Sequence, residues 1–72
     1  MLYYERLKMV REDRDLTQAH IAQLLETTRQ QVGKWENGQQ MMGVDKYIKL
    51  AKYYNLSVDY LLGLTDVPRN LK

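Results

Sequence analysis

Between Thr28 and Asn37 the chain reads Thr-Arg-Gln-Gln-Val-Gly-Lys-Trp-Glu-Asn. Wound into a helix, Arg29, Gln30, Gly33, Lys34 and Asn37 fall on one side and Val32, Trp35 and Glu36 on the other. The first side is polar or bare, and the one acid of the stretch is turned away from it. Arginine carries a fork of donors that fits the O6 and N7 of guanine; a glutamine amide fits the N6 and N7 of adenine. Thr28 stands at the helix start, where free backbone N–H groups favour a phosphate. This is chemistry for reading a nucleic acid. The same face also suits the solvated side of a small bundle, and periodicity alone leaves both readings open.

Catalysis has little to work with. There is no cysteine and a single histidine, His20, which excludes disulfides, thiolate metal sites and multi-histidine sites. No nucleophile–base pair, carboxylate pair or phosphate loop is present in the sequence. The expected class is therefore a non-enzyme, without cofactor or metal. At 72 residues the chain is one small domain, with no room for a deep cleft or an attached ligand-binding domain, so no small-molecule ligand is expected. No apolar run approaches the length of a membrane span or a signal-peptide core, which points to a cytoplasmic protein.

Eleven basic residues stand against nine acidic ones, a net charge of +2. The distribution is uneven. Residues 1–26 hold four basic and five acidic side chains, whereas residues 27–52 hold five basic and two acidic. The positive middle third suits a polyanionic partner.

The elements that must position these residues are helices. One proline, Pro68, and no alternating strand pattern predict an all-α chain. Tyr3, Leu7 and Val10 set the first helix, from Leu2 to about Arg14, and Asp15 breaks it. Thr17 caps the second, with Leu16 and Ile21 as its hydrophobic staple. Thr28 and Gln31 pair as a capping box for the third, and Asn37-Gly38 ends it. The fourth runs from Gly43 or Val44 to Tyr54, with Val44, Tyr47, Leu50, Ala51 and Tyr54 on its apolar face. Ser57 caps a short fifth helix that Gly63 closes, and the tail from Leu64 is expected to fray. The second and third helices, joined by only three or four residues, make a helix-turn-helix.

The stretch Leu16–Gly38, LTQAHIAQLLETTRQQVGKWENG, resembles the helix-turn-helix of the Cro and phage-repressor family, also called the Xre family. The segment YIKLAKYYNLSVDYLLGLTD resembles the last two helices of the same family, so the likeness spans residues 5–66. It implies a compact five-helix lambda-repressor-like domain over residues 1–66, followed by a tail at 67–72. It also implies a bacterial or phage-encoded transcriptional regulator, a repressor in the manner of Cro, that binds a palindromic DNA operator as a homodimer. A protein-interaction or antitoxin-type module on the same fold is the alternative.

Position by position, the resemblance places Thr28, Arg29, Gln30 and Lys34 where the family reads bases. Lys34 is also a flexible point charge suited to phosphate. Gln18, and Asn37 with the loop that follows it from Gln39, fall where the family touches the DNA backbone; Gln31 and Lys46 are expected to add backbone contacts beside them. Arg11 and Glu36 match a buried salt bridge, and Val58, Tyr60, Leu61 and Leu64 match a dimer contact. Three departures stand out: Glu26 in place of a turn glycine, His20 in place of a capping glutamate, and Gly33 in place of a residue with a side chain.

Overall fold

The structure, a computed structural model, describes residues 1–69. They form five helices: α1 Tyr3–Asp13, α2 Gln18–Leu24, α3 Arg29–Glu36, α4 Val44–Tyr54 and α5 Val58–Leu61. Three of them begin on a hydroxyl oxygen. Thr17, Thr28 and Ser57 each accept a hydrogen bond from the N–H three residues on, at 3.0, 3.1 and 3.1 Å. Each satisfies one of the donors that a helix start leaves free. The capping box at α3 is only half made, because the Gln31 amide donates to Gln40 Oε1 at 2.7 Å and does not turn back to Thr28.

Every helix ends the same way. A left-handed residue follows each one: Asp15, Glu26, Gly38, Asn55 and Gly63. The N–H after it reaches back to close the terminus, as Leu16 does to Arg11 O, Thr27 to Ala22 O, Gln39 to Lys34 O, Leu56 to Ala51 O and Leu64 to Asp59 O. These bonds satisfy carbonyls that would otherwise be orphaned. At Gly38 the glycine is needed twice. Its φ is +83°, and a Cβ there would lie 2.9 Å from the Tyr4 ring.

The core joins Leu7 and Val10 of α1 with Ile21, Leu25, Val32, Trp35, Tyr47, Leu50, Tyr54 and Leu61. Burial pushes the Tyr54 hydroxyl up to about 12, so the phenol stays neutral at ordinary pH. A void among Leu7, Ile21, Leu25, Trp35 and Tyr54 measures about 10 Å³, space for at most one water. Val44 is a correction to the expected core: it is 73% exposed. It is the first residue of α4 and lies beyond the edge of the core, while Met42 of the preceding loop is buried instead.

The residues after α5 make specific contacts with the body of the domain. Ser57 N–H donates to Pro68 O at 2.8 Å, and Arg6 of α1 holds the turn before it. The segment from Leu64, where fraying is expected, thus bonds to α1 through Thr65 and to Ser57 through Pro68; residues 70–72 lie outside the described residues.

Candidate nucleic-acid interface

α2 and α3 are joined by residues 25–28 and pack against each other. The turn needs a left-handed residue, and Glu26 supplies it with φ 57°. A non-glycine residue there costs about 1 kcal/mol. Lys46 of α4 stiffens the same turn, its Nζ donating to Leu25 O at 3.0 Å.

The orientation of α3 is fixed from its inner side. Val32, Trp35 and Glu36 are all buried. Arg11 Nε and Nη2 donate to the two Glu36 carboxylate oxygens at 2.7 and 3.0 Å, and Gln18 Nε2 adds a third bond to Glu36 Oε1 at 3.1 Å. Arg11 also donates to Leu16 O at 2.8 Å. The hydrogen bond to Glu36 raises the Arg11 guanidinium above its ordinary range, against the opposing effect of burial. α1, α2 and α3 thus meet on one carboxylate, and the single acid of α3 is spent inward.

What remains outward is the opposite face. Thr28, Arg29, Gln30, Lys34 and Asn37 are exposed. None of the side-chain donors of Arg29, Gln30 or Lys34 is committed to an intramolecular bond among the described residues. Arg29 borders a surface depression that it shares with Thr17, Gln18 and Ala19 of α2. Asn37 Oδ1 accepts from Gln39 N–H at 3.1 Å and shapes the turn after α3, where Gln39 and Gln40 are exposed. The structure therefore brings Thr28, Arg29, Gln30, Lys34, Asn37 and Gln39 to one helix and its exit. Gln18, Gln31 and Lys46 stand at its margin, each already holding one internal bond.

The α5 residues form a separate region. Val58 and Tyr60 are half-buried, and Leu64 is 75% exposed. Leu61 corrects the expected dimer contact. It is 0% exposed, a core residue unavailable to a partner, because α5 turns it onto α1 and α4.

Two features escaped the sequence reading. Arg6 is 3% exposed; it donates to Tyr60 O, Thr65 O and Asp66 Oδ1, and its guanidinium lies 4.0 Å from the Tyr60 ring centroid. Nothing in the local pattern marks it, since its carbonyl partners lie more than fifty residues away. Met1 and Leu2 are also exposed, and the backbone of residues 1–3 packs on Gly63 beside Leu64.

A four-residue turn, a braced second helix and an acid-free outer face define a helix-turn-helix domain. The helix-turn-helix family model matches residues 7–61, and the chain belongs to that family, the Cro- and phage-repressor-like regulators. It is 36% identical over 67 residues to YobD, an uncharacterised HTH-type transcriptional regulator of Bacillus subtilis (strain 168), covering 93% of this chain and 60% of that protein. The chain thus spans about three fifths of that relative's length. A transcriptional regulator from Listeria innocua has a similar structure, with TM-score 0.81 and 31% identity over 85% of this chain and 57% of that one. The P22 c2 repressor, crystallised in complex with a synthetic operator, shares the fold at TM-score 0.78 and 24% identity, covering 86% and 94% of the two chains.

Proposed function

We propose that this protein is a sequence-specific DNA-binding transcriptional regulator that represses by occupying an operator, with α3 in the major groove. The observation that carries this reading is the division of α3 into two faces. Its one acid is buried against Arg11, and the outer face holds Arg29, Gln30 and Lys34 with free donors. Arg29 suits guanine and Gln30 adenine, each bidentate pair contributing about 1–3 kcal/mol of discrimination. Thr28 is placed to reach the first base or its phosphate. Lys34, Gln18, Gln31, Asn37, Gln39 and Lys46 add position and salt-dependent affinity along the backbone. The action is occupancy rather than catalysis, and it belongs in the cytoplasm of a bacterium, on its own DNA or that of a phage.

One recognition helix covers too few base pairs to select a site in a genome. The working form is therefore a homodimer on a palindromic operator. Val58, Tyr60 and Leu64 remain as the contact once Leu61 is assigned to the core, and exposed Met1 and Leu2 extend the apolar area beside Leu64. Selection of binding duplexes from a random pool, followed by sequencing, tests the reading. A single motif with two-fold symmetry is expected. Recovery of unenriched sequences by folded protein would defeat it.

A further inference from the structure

Arg6 is a buried charge without a buried counter-charge. It is 3% exposed, whereas the side chain of its ion-pair partner, Asp66, is almost wholly in solvent. Taking a guanidinium out of water is costly, and an exposed carboxylate offsets little of that cost. Neutral acceptors make up the difference. Nη1 donates to Tyr60 O at 3.0 Å and to Thr65 O at 3.2 Å, Nε to Met1 Sδ at 3.0 Å, and Nη2 to Asp66 Oδ1 at 3.0 Å. The guanidinium carbon also lies 4.0 Å from the Tyr60 ring centroid. All three nitrogens of one α1 side chain are thus engaged, and every partner is either Met1 or a residue between 60 and 66.

The segments that Arg6 joins carry large apolar side chains that face solvent: Met1 and Leu2 at one end, Leu64 and Val67 at the other. A side chain in solvent makes no core contact, so it does not anchor its own backbone. The segment after α5 is held instead by polar bonds, from Leu64 N–H to Asp59 O, from Ser57 N–H to Pro68 O, and from Arg6. Of these, Arg6 alone also bonds to Met1. The two ends meet closely at Gly63, where a Cβ would lie 2.9 Å from Met1 O. A clasp that served stability alone would do as well with polar residues on the segments it holds.

We propose that Arg6 is a positioning residue for the dimer contact: it fixes Tyr60 and Leu64 in the arrangement that a second copy of this chain meets. The inference rests on the homodimer reading above and goes beyond it, because it places a determinant of pairing on α1, behind the contact. Ordering that surface before association spares the complex the entropy of fixing it on contact. Lysine is no substitute, since an ammonium lacks the planar fork that serves two carbonyls, a carboxylate and a ring together.

The test compares wild type, Arg6→Lys and Arg6→Met on a duplex with two half-sites of the selected motif and on an isolated half-site. Affinities are read by fluorescence anisotropy at one salt concentration, with urea unfolding as the check on folding. Arg6→Met fills similar space without burying a charge, so it carries the test if the lysine variant does not fold. Each folded variant binds the isolated half-site within about twofold of wild type, and the two-half-site duplex about tenfold or more weakly. Adding Leu64→Glu to either variant lowers the two-half-site affinity little further, because both changes remove one contact; independent effects would multiply. Wild-type affinity of a folded variant for the two-half-site duplex overturns the proposal. So does an equal loss on both duplexes, or multiplication with Leu64→Glu. Absence of any gain from the second half-site in wild type is a different result: it removes the homodimer, and the inference with it, before any variant is made.

Discussion

Arg11 grips Glu36 with two donors at 2.7 and 3.0 Å, and the two side chains are only 11% and 6% exposed. A buried pair of this kind adds little over an apolar pair, yet removing one member strands the other charge in the core. Glu36→Ala and Arg11→Ala should each destabilise the domain by roughly 3–5 kcal/mol in urea denaturation, and replacing both by apolar residues of similar volume should cost much less. A small loss in the single variants would show a solvated pair. Arg6 presents a different balance. Its carboxylate partner, Asp66, is 99% exposed, so the main restraints on Arg6 are the Tyr60 and Thr65 carbonyls and the Tyr60 ring. Asp66→Ala should accordingly leave the urea midpoint nearly unchanged.

At the level of elements, the helix starts were the most legible part of the sequence, because a hydroxyl three residues before a free N–H is a local signal. The ends were legible at Gly38 and Gly63, where glycine announces a left-handed residue. Asp15 showed only as a break in the pattern and Glu26 only as a departure from the family, and Asn55 was marked by no more than the end of the fourth helix at Tyr54. The three sites share one geometry, and asparagine and aspartate tolerate it better than glutamate does. Glu26→Gly should therefore raise stability by about 1 kcal/mol, and Asn55→Gly by less, as read from thermal or urea unfolding. A loss at Glu26→Gly would mean that the extra freedom of the unfolded glycine chain outweighs the relieved strain. The apolar face of α4 was misread at Val44 because helical periodicity does not say where a core stops. Leu61 was misread for a related reason: three apolar residues, Val58, Tyr60 and Leu61, on a one-turn helix do not reveal which of them turns inward. Arg6 was illegible because its partners are distant in sequence, whereas Arg11 and Glu36 were placed by the family's pattern.

For the whole molecule, the proposed recognition face on α3 and the proposed contact around α5 are assigned separate tasks, so they should be separable by mutation. Leu64→Glu puts a charge on the proposed dimer contact without touching α3. It should weaken binding to a two-half-site duplex by more than tenfold while leaving affinity for an isolated half-site unchanged. At saturating wild-type protein the footprint should cover two half-sites about 34 Å apart, one turn of B-DNA; protection of one half-site alone would remove the dimer. The central claim is that the outer face of α3 reads bases, and it is tested most directly by the affinity of Arg29→Ala for the selected operator and each of its single-base variants, at one fixed salt concentration. Preference at one base pair per half-site should collapse by about 5- to 150-fold, with binding to unrelated DNA little changed. An equal loss on every sequence, operator and unrelated DNA alike, would make Arg29 a phosphate contact and contradict the assignment of α3 as the reading helix.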